Sequence, residues 1–170
     1  MTTQTIERTT LSNLVSNEEY CRKVLPFIKA DYFDVKEERV VFEEITSFVE
    51  KYKRIPTKIS LEIEVESRKD LTEDQHKKIV EIIQTLDSTD VDMEWLVDTT
   101  EKFCKDKAIY NAIVDGISII DGKDKKRSPD AIPSILTDAL AVCFDNAVGH
   151  DYFDDAEERF EFYHKVEERI

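Results

Sequence analysis

The chain has 170 residues, enough for one domain of ordinary size or one domain with an extension. Its 38 acidic and 24 basic residues give a formal net charge of −14, which argues against a sequence-independent grip on DNA phosphates and favours solubility and basic partners. With only 3 glycines and 4 prolines there are few places to break a helix, so the fold class is predicted as all-α.

Taken in order, a first helix is predicted over 6–15, with Ile6, Leu11, Leu14 and Val15 as a weak apolar stripe. Ser16 or Asn17 can cap the next helix, and Ser16-Asn17-Glu18-Glu19 also fits a capping box. That second helix, over 18–28, packs Tyr20 or Cys21, Val24, Leu25 and Ile28, and Pro26 forces an early or kinked end. Tyr32 and Phe33, in the connector that follows, are expected to plug into the core. Asp34 is the expected cap of a third helix over 36–52. Its inner face carries Val40, Val41, Ile45, Phe48, Val49 and Tyr52, while Glu37, Glu38, Glu43, Glu44 and Glu50 take the rest. Pro56 closes it.

Residues 58–68 alternate Ile59, Leu61, Ile63 and Val65 with polar neighbours, a strand period. An isolated strand would have no partner among helical flanks, so a helix is assigned by context. Thr72 opens a clearer helix to about Leu86, built on Ile79, Val80, Ile82, Ile83 and Leu86, before the polar break at 87–90.

The longest element is predicted over 92–121. Leu96, Phe103, Tyr110 and Ile117 keep one seam along it, and Ile109, Ala112, Ile113 and Ile120 form a second in its C-terminal half. Two apolar seams give the helix two faces to pack, one for its own returning mate and a second that a different chain could cover. Gly122 followed by Pro129 stops the helix, and residues 130–146 are predicted to return as an antiparallel hairpin with Ile132, Ile135, Leu136, Ala139, Leu140, Cys143 and Phe144 inward. Between them Lys123, Lys125, Lys126 and Arg127 form the densest basic cluster in the chain, either a solvated tip or a contact for an acidic protein or nucleic acid, which the surrounding negative charge would weaken. A boundary at 148–149 separates the 1–148 domain from an acidic, aromatic-rich linker helix at 149–170, whose Phe153, Phe160 and Tyr163 can share one face.

Little in the chain points to chemistry. Cys21, Cys104 and Cys143 are an odd, scattered set that suits reduced thiols better than a disulfide framework or zinc site. His150-Asp151 resembles the metal-binding pair of phosphohydrolases, but only His76 and His164 remain as further histidines. The acidic run at 151–158 lacks calcium-loop spacing, and Gly122-Lys123 lacks the rest of a phosphate loop. Trp95 is read as core or interface. No apolar run approaches the roughly 20 residues that span a bilayer, so a soluble, cytoplasmic protein without membrane contact is expected.

The order of these pieces carries a resemblance. Tyr32-Phe33, the stretch 52–56, Glu94-Trp95-Leu96-Val97 and Thr100-Glu101-Lys102 are followed by Ala131-Ile132-Pro133, Ala139-Leu140 and Phe144-Asp145. Val148-Gly149-His150-Asp151 and Asp154-Asp155 complete the set. Together they resemble the N-terminal domain of DnaB-type replicative DNA helicases, in particular those of T-even-type phages. The resemblance covers nearly the whole chain, on packing and linker motifs rather than a catalytic signature.

It implies a parent that unwinds duplex DNA 5′ to 3′ at a replication fork as a hexameric ring, with ATP and Mg bound by a RecA-like motor domain beyond Ile170. This segment would form the collar, with Leu96, Phe103, Tyr110, Ile113, Ile117 and Ile120 in the subunit interface. Phe153, Phe160 and Tyr163 would dock on a neighbouring motor, and the collar would recruit primase. The partners are then the chain itself and primase, with DNA reached only through the full ring. No catalytic, cofactor or metal residue is expected in this segment, which alone should hydrolyse no ATP. The competing readings are a helical adaptor unrelated to helicases and, more remotely, an all-α metal phosphohydrolase.

Overall fold

A computed structural model describes the backbone of residues 3–144 and the side chains of residues 6–144. Seven α-helices occur among them, in the order α1 (Thr3–Ser16), α2 (Glu18–Val24), α3 (Lys36–Tyr52), α4 (Lys58–Glu66), α5 (Glu73–Gln84), α6 (Met93–Ile120) and α7 (Ile132–Leu140). Short 3-10 turns cover Leu25–Phe27, Ala30–Tyr32 and Pro129–Ala131, and the described residues contain no strand.

The caps explain most of the boundaries. Asn17 starts α2 by accepting the Tyr20 amide, while the Ser16 hydroxyl turns back to the Ser12 carbonyl, so the predicted Ser16 box does not form. Pro26 shortens α2, and the chain tightens into a 3-10 turn there. Asp34 does not cap α3. Val35 stands at that position without a side-chain bond, and the Asp34 carboxylate instead takes Lys107 Nζ at 2.6 Å, drawing the connector onto α6. Lys53 ends α3 in the left-handed region at φ 59°. Thr72 and Gln75 close a reciprocal capping box on α5.

The ambiguous stretch 58–68 is helical, and packing decides it. Thr57 and Ser60 form a capping box, Leu61 and Val65 are fully buried one turn apart, and Ile59 and Ile63 face away from the core. A strand would have left the backbone amides of this segment without partners.

The core lies where α1 meets α2, α3 and α6. Leu11 and Leu14 of α1, Tyr20 and Val24 of α2, and Val41, Ile45 and Val49 of α3 show little or no exposure. Tyr32 and Phe33 plug in as expected, and the Phe33 ring packs 5.2 Å from Phe42 and 6.0 Å from Phe103, centroid to centroid. Tyr20 and Thr100 bond at 2.7 Å inside the core. Thr100 spends its one proton on the Leu96 carbonyl, so Tyr20 must be the donor to Thr100. Helices α3, α4 and α5 pack on one another as a second layer. Arg68 fastens its edge through Glu43 and Glu44, each at 3.2 Å, and Asp70 at 2.9 Å.

One charge inside this core departs from its expected place. Glu38 lies inward with no exposure rather than on the solvent face, and it is held by Arg8 Nε at 2.6 Å. Glu7, 1% exposed, lies beside it, accepts the Asp34 amide at 3.3 Å and has Lys107 Nζ at 4.0 Å. Burial pushes the Glu7 carboxyl up to about 7, with the Glu38 carboxyl adding to the rise and the Asp34 amide opposing it. The outer faces also differ from expectation at Tyr52, which is 44% exposed at the end of α3 between Lys51 and Arg54.

Candidate functional site

Helix α6 holds the feature that calls for a partner. Its first half is covered by the N-terminal body: Leu96 and Phe103 are buried there, Thr100 bonds Tyr20, Lys107 bonds Asp34, and Asn111 donates to the Asp31 carbonyl at 3.3 Å. Past Asn111 that body gives out. From there to its end α6 packs against the 3-10 turn at Pro129–Ala131 and against α7.

The two sides of this second half are sharply different. Ala112, Gly116 and Ile119 are buried on the side where α7 lies. An atom added at Gly116 would meet the Ile132 side chain at 3.7 Å, and farther along the Phe144 amide donates to Glu101 at 3.2 Å. The Phe144 ring stacks on Phe27 at 4.8 Å, closing α7's end onto the body. On the other side Tyr110, Ile113, Val114, Ile117 and Ile120 are 62, 50, 43, 53 and 71% exposed. Spaced at i, i+3, i+4, i+7 and i+10, they form one continuous apolar stripe about three turns long.

The six residues predicted for a subunit interface therefore divide. Tyr110, Ile113, Ile117 and Ile120 are on the open stripe, whereas Leu96 and Phe103 face the chain's own core. A strict seven-residue seam drifts by about 20° per heptad around a straight helix, and α1 and α2 cover only the near half of α6. Val114 belongs to the stripe and was not anticipated; it lies between the two seams read from the sequence, and only the joint exposure of its neighbours singles it out.

The returning helix is also shorter than predicted. It ends at Leu140, which is 70% exposed rather than inward, and a turn follows at Ala141. Ala139 and Phe144 are buried as expected, Ile135 and Leu136 are half-buried against the core, and Ile132 is half-buried over Gly116.

Between α6 and α7 the chain turns through a Schellman motif: the Gly122 amide bonds the Ile119 carbonyl at 3.2 Å and the Lys123 amide bonds the Ser118 carbonyl at 3.0 Å. Gly122 adopts φ 75° there. The Asp124 carboxylate accepts from the Lys126 and Arg127 amides and from Arg127 Nε at 2.8 Å, and the Arg127 guanidinium holds its carboxyl below the usual carboxylate range. Arg127 also reaches Asp115 at 3.7 Å and is thus occupied within the chain. Lys123, Lys125 and Lys126 are exposed and have no ion pair among the described residues. An exposed apolar stripe thus leads directly into a small cationic tip.

At the opposite end of α6, Asp92 caps the helix and Trp95, 42% exposed, borders a cleft of about 570 Å³ shared with Ile6, Asp98, Thr99, Lys102 and Phe103. Burial drives the thiol of Cys104 up to about 12, and Cys21, Cys104 and Cys143 are all unbridged. Among the described residues no three His, Cys, Asp or Glu side chains gather as metal ligands, and no helix is long and apolar enough to cross a membrane. Phe153, Phe160 and Tyr163, with the whole 149–170 segment and His150-Asp151, lie outside the described residues.

No family model matches the chain. It is 34% identical over 161 residues to a DnaB-like replicative helicase of Enterobacteria phage T4, a match covering 90% of this chain and 34% of that protein. The chain therefore spans about a third of the relative's length. The similarity bears out the resemblance to DnaB-type phage helicases drawn from the sequence motifs.

Proposed function

We propose that this chain is the N-terminal, collar-forming domain of a DnaB-type replicative helicase of the T-even phage kind. Its work is assembly: it associates with copies of itself through α6 and presents a surface that recruits primase to the ring. The observation that carries the reading is the stripe of Tyr110, Ile113, Val114, Ile117 and Ile120, open on a helix whose other side is already filled by α7. Five large apolar side chains in water along three turns are a standing cost that burial against a second copy would remove, at about 25 cal/mol per Å² covered.

In this reading α6 and α7 form an antiparallel hairpin, and two hairpins pair between subunits. The lysines at 123, 125 and 126 sit at the hairpin tip, where they can meet an acidic surface of a neighbouring subunit or of primase. The 149–170 segment, with Phe153, Phe160 and Tyr163, leads to a RecA-like motor domain and docks on the motor of the next subunit. ATP and Mg belong to that motor, and duplex DNA is engaged by the completed ring. This domain contributes no phosphate-binding loop and hydrolyses no ATP itself.

The coding sequence downstream of Ile170 tests the proposal. A continuous frame that soon reaches a glycine-rich phosphate loop ending in Lys-Ser or Lys-Thr supports it. A stop codon immediately after Ile170 contradicts it and favours a free-standing helical adaptor. In the longer protein, Ile113→Asp combined with Ile117→Asp should weaken ring assembly and primase-stimulated unwinding while leaving the domain folded.

A further inference from the structure

A second exposed apolar face lies far from α6 in sequence, on α4. Four of the nine residues in this helix are Ile, Leu or Val, and they divide evenly. Leu61 and Val65 are fully buried, while Ile59 and Ile63 are 70 and 57% exposed. Nothing in the fold requires isoleucine at the two outer positions: β-branched residues lower helix propensity, and the capping box and the buried pair already hold the helix.

The charges around this pair have one sign. Glu62 and Glu66 fall at i+3 and i+7 from Ile59 and so border Ile59 and Ile63 along the same outer face, with Glu64 on the far edge. Among the described residues none of these three glutamates forms an ion pair. Two of the basic groups that flank the helix are committed elsewhere, and the third, the exposed Lys69, forms no ion pair with these glutamates. Lys58 bonds Asp87 and the Gln84 carbonyl, and Arg68 bonds Glu43, Glu44 and Asp70. The face is therefore an apolar ridge with an uncompensated acidic border.

We propose that the outer face of α4 is a docking site for a basic amphipathic helix of a partner protein. Leucine-like side chains one turn apart would cover Ile59 and Ile63, and lysines or arginines beside them would pair with Glu62 and Glu66. A helix two to three turns long matches the reach of the face. A second copy of this chain is a poor occupant, because two such faces would bring the same unpaired glutamates together. The site goes beyond the collar reading and does not depend on it.

The test is a titration of isotope-labelled chain, followed by amide chemical shifts, with a synthetic helical peptide that places leucines at i, i+3, i+4 and i+7 among lysines. A peptide of the same composition in scrambled order is the control. Shifts should concentrate on α4 and the loops at 53–57 and 67–72, weaken with added salt, and be absent with the scrambled peptide. Ile63→Glu or Ile59→Glu should reduce affinity about tenfold or more, with an unchanged melting curve because both positions are exposed. Glu62→Lys with Glu66→Lys should abolish the preference for the basic peptide. No saturable binding, shifts centred on α6, or affinity unchanged in Ile63→Glu would overturn the proposal. So would α4 shifts that depend on protein concentration without peptide, which would make a second copy the occupant.

Discussion

Arg8 Nε donates to Glu38 Oε1 at 2.6 Å, tying α1 to α3 through a carboxylate with no exposure to solvent. The second oxygen, Glu38 Oε2, is buried and receives no protein donor. Removing the guanidinium would leave the buried Glu38 charge without its cation. Arg8→Ala should therefore cost about 3 kcal/mol in urea unfolding, the lower end for a broken buried pair because Arg8 itself is about a third exposed. A loss within the range of ordinary surface substitutions would show that water replaces the arginine.

Glu7 beside this pair makes stability depend on pH. Its carboxyl is pushed up to about 7 by burial and by Glu38, with Arg8, Asp34 and Lys107 as the other charged groups facing it. A proton on Glu7 removes the repulsion between the two carboxylates and lets Glu7 donate to its neighbour Glu38. The folded state thus holds this proton more tightly than the unfolded chain. The resulting stability is complete below the ordinary glutamate range and is lost as pH rises through about 7. Between pH 5 and 8, the wild type should lose on the order of 2–3 kcal/mol relative to Glu7→Gln, whose amide can donate at every pH. Parallel pH profiles for the two proteins would remove Glu7 from this account.

The two glycines flanking the end of α6 should respond in opposite directions to alanine. At Gly116 a new methyl group would meet Ile132 at an ordinary 3.7 Å, so Gly116→Ala should stabilise by about 0.5–1 kcal/mol through helix propensity. At Gly122 nothing obstructs a side chain, but φ is +75°, and Gly122→Ala should cost about 1 kcal/mol. Thermal melts of the two variants, compared with the wild type, check both signs.

Much of this was legible in the sequence. The bounds of α3, the cap at Asn17, the break at Pro26 and the stop at Gly122 follow from local backbone chemistry, which a single sequence displays. Long-range pairing is less visible. Asp34 was read as a cap, yet it stands one residue before the cap position held by Val35, and Lys107, distant in the chain, takes its carboxylate. Glu38 looked like part of a solvated face because its partner Arg8 lies 30 residues away. The split of the α6 seam was hidden for the same reason: periodicity shows that a helix has apolar sides, but not where its neighbours end. At α4 the alternating isoleucines imitated a strand, and only the burial of Leu61 and Val65 one turn apart decides for the helix.

The stripe of Tyr110, Ile113, Val114, Ile117 and Ile120 gives the collar reading its most exposed prediction. Sedimentation velocity of the chain over a dilution series, in parallel with Ile117→Asp, tests it most directly. Because Ile117 is 53% exposed, the variant should fold and melt like the wild type. The account predicts concentration-dependent association of the wild type, and a monomer for Ile117→Asp, since a carboxylate buried without a partner in the stripe is costly. A wild type that stays monomeric at the highest concentration reached, or a variant that associates equally well, would contradict it.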